Sequence, residues 1–338
     1  MHCMRLLFTV LYSSLGVDVS GGTCPPPVRS HSDFLAAIKV MGHDRNITGG
    51  WIVNIGAALV HPGNRHSNHD LSWDLFFRED QLKLRMVAFE GSPAAIAANE
   101  REFATRSGPH ELDEERAARL TRINEYVHAA TLAGELHKRG VPRRLVLLKV
   151  DIDSFDLQVT DAVVAAHRPL LIYVELGSGL PPLTSAGALD FAALSPADGS
   201  PAARYATGVN AYNRLSKVGC AGATFRAWQT WGQARGYAMY AMDRQHKNAL
   251  LVPAHANHRS SSGFSCHAPL FKGVLGAKLN TSNGLTLADN PQGWKRVLAE
   301  LDAACKRTST PYMIRVDGEC CPERLGADSS RCRCSYQP

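Results

Sequence analysis

Hydrophobic and polar positions change their period repeatedly between residues 50 and 176. Short apolar runs that end in small or acidic residues predict buried strands, whereas apolar residues spaced three or four apart predict helices. The predicted strands are Trp51–Ala57, Leu84–Phe89, Leu145–Val150 and Pro169–Glu175. The predicted helices are Leu71–Phe77, Pro93–Phe103, 112–139 with a break near Tyr126, and Gln158–Ala166. This alternation predicts an α/β fold, a Rossmann-like three-layer sandwich whose mainly parallel sheet carries helices on both faces.

Further elements are predicted on either side of this region. Ser32–Ile38 has the pattern of a short capped helix. The helix predicted over Ala221–Ala234 carries aromatic residues at helical spacing, which favours a core stripe over a ligand platform: Phe225, Trp228 and Trp231. The runs Tyr237–Met242 and Ala249–Val252 then predict a C-terminal antiparallel hairpin in the sheet.

The α/β domain is assigned to residues 23–255, with distinct segments before, within and after it. Residues 1–22 have one basic residue, a short apolar run and small residues, which is the outline of a signal peptide or else a first element of the fold. Residues 177–219 are an Ala/Ser/Gly/Pro-rich insertion, interpreted as a lid over a pocket or as a spacer. Residues 256–338 form an extension with one amphipathic helix, 292–306, and a Cys-rich tail.

Composition and charge narrow the classes of function only slightly. The chain has 338 residues, 45% hydrophobic and 20% charged, which is enough for a large globular domain. The net charge of +6 comes without a dense Lys/Arg run, so there is no specific nucleic-acid signal. No stretch is long and apolar enough to predict a transmembrane helix. A signal peptide would send the chain to the secretory pathway, and otherwise a cytoplasmic location is expected.

Cysteine and histidine residues give no firm metal signal. Four of the nine cysteines lie near the C-terminus: Cys320, Cys321, Cys332 and Cys334. Their spacing is not that of a zinc ribbon, and they are expected to form disulfides only in an oxidising compartment. The three histidines of residues 61–69 are interpreted as part of a solvated loop. We therefore predict no metal ligand.

An acidic cluster follows the strand at Leu145–Val150. Alternation places Asp151 and Asp153 on the same side, and Asp156 lies just beyond the strand end. Crowded carboxylates repel one another, so they usually serve a cation, a hydroxyl-bearing ligand or an acid/base step. The structural alternative is a helix cap followed by a solvated loop.

Two other strand ends carry informative residues, namely Asn54-Ile55-Gly56-Ala57 and Glu90-Gly91-Ser92. In open parallel sheets, ligands bind beyond the carboxyl ends of the strands. Gly56 would allow a ligand close to the backbone, and Glu90 could accept both hydroxyls of a ribose. Neither a G-x-G-x-x-G turn nor a P-loop is present, so the residues favour a nucleoside without phosphates, such as S-adenosylmethionine.

Residues 50–253 resemble the FkbM-like branch of class I S-adenosylmethionine-dependent methyltransferases. Relatives have a first strand ending in Asp-x-Gly-Ala, a second ending in Phe-Glu-x-x-Pro, and a fourth reading Leu-Lys-x-Asp-x-(Asp/Glu)-Gly. The matching stretches here are Trp51–Ala57, Val87–Pro93 and, after Val141-Pro142, Leu147–Asp156. The resemblance implies methyl transfer to a hydroxyl of a small-molecule or glycan acceptor.

The same resemblance implies roles for particular residues. Gly56 and Ala57 would shape the turn beside the methionine part of the cofactor, and Glu90 would hold its ribose. Asp151 would lie beside the methyl-donor pocket, and Asp153 would contact or deprotonate the acceptor hydroxyl as the catalytic residue. Asn54, counted with the cofactor-binding residues, stands where relatives usually have an acid. Together with Ser154 in place of Gly, this departure leaves open an inactive member of the family.

Two alternatives come from other classes of protein. Asp151-Ile152-Asp153 also has the form of the D-x-D motif with which nucleotide-sugar glycosyltransferases hold a divalent metal. That interpretation leaves Gly56 and Glu90 without a role. The second alternative is a secreted, disulfide-closed module whose Rossmann-like core only binds a partner.

Overall fold

A computed structural model describes residues 28–41, 47–59, 70–104, 113–152, 156–176, 185–188, 223, 225–243, 247–256, 312–316 and 319–320. Several predictions lie outside these residues: the signal peptide, the histidine loop, the catalytic role of Asp153, most of the 177–219 insertion, the helix 292–306 and nearly all of the Cys-rich tail.

The described elements follow the predicted alternation of strands and helices. The helices are α1 His31–Val40, α2 Leu71–Arg78, α3 Pro93–Phe103, α4 Glu114–Arg119, α5 Ala129–Lys138, α6 Asp156–Ala166 and α7 Phe225–Arg235. The strands are β1 Trp51–Ile55, β2 Arg85–Phe89, β3 Leu120–Ile123, β4 Arg144–Val150, β5 Arg168–Glu175, β6 Ser185–Ala188, β7 Tyr237–Met242, β8 Asn248–Pro253, β9 Tyr312–Val316 and β10 Glu319–Cys320. Short 3₁₀ turns occupy Asp80–Leu82 and Ala254–Ala256.

Seven strands form the main sheet in the order β3-β2-β1-β4-β5-β8-β7. Strands β1 to β5 are parallel, and β8 pairs antiparallel with both β5 and β7. The mainly parallel α/β fold and its C-terminal antiparallel hairpin are therefore confirmed. Successive connections run from β1 toward β3 on one side and through β4 and β5 on the other. The topological switch point thus lies between the carboxyl ends of β1 and β4.

Helices cover both faces of the sheet, which makes the fold a three-layer sandwich. Along β1, Val53 and Ile55 belong to a core with residues of α5, α6 and α7, whereas Ile52 belongs to a core with residues of α1 and α2. This division follows the alternation of side chains along a strand. Trp228 and Trp231 of α7 are 0% and 1% exposed, so these two residues of the aromatic stripe belong to the core as predicted.

The helix predicted over 112–139 is wrong in its middle. Helix α4 ends at Arg119, and β3 then adds a parallel edge strand to β2, with Met86 opposite Leu120 and Phe89 opposite Ile123. Leu120 and Ile123 are three residues apart, which is the spacing of one helical face, whereas along a strand they lie on opposite faces and join different cores. Pairing with the open edge of β2 decides between helix and strand, because tertiary context outweighs local propensity.

A second, small sheet joins the insertion to the C-terminal extension. Strand β6, from the 177–219 insertion, pairs antiparallel with β9, so that Ser185 lies opposite Arg315. Strand β10 then pairs with the other edge of β9. Two segments that are far apart in sequence are thus connected by backbone hydrogen bonds. Among all the helices described, none has the length and apolar character needed to cross a membrane.

Candidate functional site

The carboxyl ends of β1, β2 and β4 meet at the switch point of the sheet. The backbone N–H of Asp151 donates to the carbonyl of Ile55 at 3.0 Å. The N–H groups of Gly56 and Ala57 both donate to the carbonyl of Phe89, at 3.0 and 2.9 Å. These bonds bring together the three strand ends that were predicted to form the site.

Gly56 occupies a position that no other residue could take without strain. Its φ is +75°, and a Cβ atom there would lie 1.7 Å from the carbonyl oxygen of Asp151. The turn is also bound through its carbonyl group, because the Gly56 oxygen accepts a hydrogen bond from the Lys149 ammonium at 2.6 Å. Because the N–H groups of Gly56 and Ala57 donate to Phe89, these two residues offer no free N–H group to a phosphate.

Lys149 is a buried, charged residue close to these strand ends. No pattern in the sequence predicted a role for it. It is 3% exposed, and its Nζ lies 3.4 Å from Asp70 Oδ2 and 3.5 Å from Asp151 Oδ2. Burial lowers the pKa of Lys149, but the charges of Asp151 and Asp70 outweigh burial and hold that pKa above its ordinary value. The side chain is therefore a buried ammonium. The sequence signal was a single lysine within an otherwise apolar strand.

Asp70 is a second residue of this site that the sequence analysis missed. Its Oδ2 accepts a hydrogen bond from Asn54 Nδ2 at 2.9 Å, and its Oδ1 accepts from the N–H of Ser72 at 2.9 Å. Asp70 thus caps α2 and pairs with Lys149 at the same time. Asn54 is fully buried, and within the described part of the chain its Oδ1 has no hydrogen-bond partner.

Glu90 follows β2 and is partly buried beside this cluster. Its Oε1 accepts a hydrogen bond from the N–H of Ser92 at 2.8 Å. Burial raises the pKa of Glu90 above its ordinary value of 4.5, although the N–H of Ser92 and the charge of Lys149 oppose the rise. The ring of Tyr126, which is 43% exposed, lies directly over Gly91, where an added Cβ would meet it at 1.9 Å. Glu90 is therefore held in place on a crowded turn.

The acids after β4 have separate functions. Asp151 remains 39% exposed on its side chain, whereas Asp156 is buried and its Oδ1 accepts from the N–H of Ile152 at 2.9 Å. Asp156 thus binds the backbone that follows β4. Asp153 lies outside the described residues. Across the parts of the chain that are described, no three His, Cys, Asp or Glu residues form a group suited to a metal ion.

Comparisons with known proteins give distant structural likenesses. No protein-family model matches the chain, and no curated protein matches its sequence. The crystal structure of TnmH is 11% identical with a TM-score of 0.32, and the match covers 66% of this chain and 55% of TnmH. The chain thus spans little more than half the length of TnmH.

Two structures of the glycopeptide N-methyltransferase MtfA are also similar. The complex with S-adenosyl-L-methionine is 13% identical with a TM-score of 0.32, covering 69% of this chain and 96% of MtfA. The complex with sinefungin is 13% identical with a TM-score of 0.30, covering 72% of this chain and 94% of MtfA. At these TM-scores the likenesses are too distant to assign a function to this chain.

Proposed function

We propose that this chain is a class I S-adenosylmethionine-dependent methyltransferase of the FkbM-like branch that methylates a hydroxyl of a small-molecule or glycan acceptor. One observation carries the proposal. The Gly56 turn, Glu90 and Asp151 converge at the switch point of a parallel sheet. That is where the ligand sites of such sheets are found.

The hydrogen bonds made by the N–H groups of Gly56 and Ala57 favour a nucleoside ligand over a dinucleotide. A pyrophosphate needs free backbone N–H groups at a turn or helix start. Here the N–H groups of Gly56 and Ala57 already donate to Phe89. A ribose, in contrast, needs only a carboxylate placed for its two hydroxyls, and Glu90 supplies one at the neighbouring strand end.

The charges of the cluster favour a cationic ligand. Three carboxylates, those of Asp70, Asp151 and Glu90, act on the single ammonium of Lys149. The two aspartates already outnumber the ammonium, so the described cluster carries a net negative charge, and an ionised Glu90 adds to it. S-adenosylmethionine carries a sulfonium and an ammonium, so this field would attract it. The D-x-D alternative leaves the Gly56 turn and Glu90, which lie at the same edge of the sheet, without a role.

The residues would then have distinct functions in the reaction. The backbone beside the cofactor is shaped by Asn54, Gly56 and Ala57. Glu90 holds the ribose, and Asp151 lies beside the methyl donor. When bound, S-adenosylmethionine supplies a methyl group on a sulfonium that is already a good leaving group. The protein therefore needs mainly to position the two substrates. Asp153 is proposed to accept the proton of the acceptor hydroxyl.

Calorimetric titration of the purified chain with S-adenosylmethionine tests the proposal. We expect the wild type to bind the cofactor. Glu90→Ala should bind it at least about tenfold more weakly, because the ribose hydroxyls lose their acceptor. Glu135→Ala is the matched control. Its exposed carboxylate on α5 pairs with Lys138, and surface pairs of this kind contribute little.

The same titration separates the alternatives. Absence of heat with S-adenosylmethionine, together with Mn²⁺-dependent binding of a UDP-sugar, would favour the metal-dependent glycosyltransferase. Binding of neither ligand would favour the non-catalytic module. If Glu90→Ala binds S-adenosylmethionine as tightly as the wild type does, the chain binds the cofactor but Glu90 does not hold its ribose.

A further inference from the structure

Asp70 connects the start of α2 with the ends of β1 and β4. Its side chain is 6% exposed, and its two oxygen atoms are used differently. The Oδ1 atom accepts from the N–H and the hydroxyl of Ser72, at 2.9 and 2.5 Å. The Oδ2 atom accepts from Asn54 Nδ2 at 2.9 Å and lies 3.4 Å from Lys149 Nζ. One carboxylate thus binds a helix terminus, a strand end and a buried ammonium.

Lys149 is shared between two carboxylates at nearly equal distances. Asp70 Oδ2 lies 3.4 Å and Asp151 Oδ2 lies 3.5 Å from its Nζ, which also donates to the Gly56 carbonyl at 2.6 Å. A buried ammonium with Asp151 as its main counterion would draw that carboxylate inward. Because Asp70 shares the charge, Lys149 can support the Gly56 turn while Asp151 stays 39% exposed at the strand end.

We propose that Asp70 is a positioning residue of the cofactor site, which through Lys149 fixes the Gly56 turn and leaves the Asp151 carboxylate available to the ligand. This inference rests on the proposed function, because it assumes that the ligand is S-adenosylmethionine. Asp70 itself need not touch the cofactor. Its contribution is the negative charge that it places beneath the strand ends.

The contact between Asn54 and Asp70 allows this charge to be moved without being removed. Asn54 lies opposite Lys149 in the register of β1 and β4, so a carboxylate at position 54 would remain beside the ammonium. The double variant Asn54→Asp/Asp70→Asn exchanges the two groups across their hydrogen bond. Asparagine is also as good a helix cap as aspartate, so α2 keeps its cap.

The experiment measures dissociation constants for S-adenosylmethionine on the full chain. We expect Asp70→Asn to bind about tenfold more weakly than the wild type, because Lys149 then draws Asp151 inward. The double variant should return to within about threefold of the wild type, whereas Asn54→Asp alone, which adds a carboxylate without moving one, should bind no more tightly than the wild type. Asp113→Asn is the control and should bind normally, since Asp113 caps α4 through the N–H of Arg116 at 2.7 Å, away from the site.

The outcomes separate this inference from the function on which it rests. No binding by the wild type would overturn both. Normal binding by Asp70→Asn, or weak binding that the double variant fails to restore, would overturn the positioning role alone. Asp70→Glu keeps the charge and lengthens the side chain, so it serves if Asp70→Asn does not fold. It should bind within about threefold of the wild type, and a tenfold loss there would also overturn the role of the charge.

Discussion

Gly56 lies so close to Asp151 that a Cβ atom on the glycine would meet the aspartate carbonyl oxygen at 1.7 Å. The obstacle is backbone rather than a flexible side chain, and Gly56 also has a φ of +75°. Two strand ends thus approach each other only because one of them carries no side chain. Any larger residue must separate β1 from β4 at the point where the proposed cofactor lies.

We therefore expect Gly56→Ala to destabilise the fold by at least about 2 kcal/mol, from strain at positive φ and from overlap. Urea unfolding measures the change. Gly134→Ala is the matched control, because Gly134 lies within α5 with nothing within 4 Å of an added Cβ. It should stabilise the protein by about 0.5–1 kcal/mol. Equal stabilities of the two variants would contradict the close approach at Gly56.

Lys149→Met should be strongly destabilising, although methionine fills a similar volume. Removing the ammonium leaves the buried Asp70 carboxylate without its ion pair and the Gly56 carbonyl without its donor. Breaking a buried pair on one side costs about 3–5 kcal/mol. Lys138→Met, at a side chain that is 72% exposed, should change stability by less than about 0.5 kcal/mol. Similar unfolding midpoints for both variants would rule out the buried ion pair.

The raised pKa of Glu90 predicts how cofactor binding depends on pH. If the ionised carboxylate holds the ribose, affinity should fall as the pH decreases through the raised pKa, beginning above the ordinary value of 4.5. Titrations across that range should show this loss in the wild type and a flat, weak profile in Glu90→Gln. A wild-type profile that stays flat down to pH 4.5 would contradict the role of the carboxylate.

The raised pKa of Glu90 also predicts how the free energy of unfolding depends on pH. The contribution of Glu90 should have the opposite sign from that of a carboxylate in a surface ion pair. Because the folded-state pKa of Glu90 is raised, its ionised form opposes folding above that pKa, and the cost disappears below 4.5. Glu90→Gln should therefore be at least as stable as the wild type at neutral pH. Glu135 is the contrast, since Lys138 and Arg139 lower its pKa, and its contribution is lost on acidification.

The sequence predicted the strands of the parallel sheet well, because buried strands are continuous apolar runs with abrupt ends. Asn54, Gly56, Glu90 and Asp151 could be placed at one edge for the same reason, since parallel strands end together. The edge strand β3 could not be predicted so well. It is short and largely exposed, so it has no continuous apolar run, and its apolar residues have a helical spacing. Only its pairing with β2 makes it a strand.

Asp70 and Lys149 were missed for physical reasons. Asp70 lies 16 residues from Asn54 in sequence, and only folding brings their side chains to 2.9 Å. Lys149 is within an apolar strand, where a lysine suggests an exposed side of the sheet. Its burial depends on two acids from different segments, neither of which a local pattern can connect to it.

The position of β8 has a consequence for how the chain can be shortened or synthesised. Because β8 lies between β5 and β7 although it follows both in sequence, the edge of β5 stays open until residue 253 has been made. A fragment that stops after residue 176 would expose the unpaired backbone of an apolar strand, which is a template for aggregation. Soluble fragments for biochemical work should therefore extend at least through Pro253.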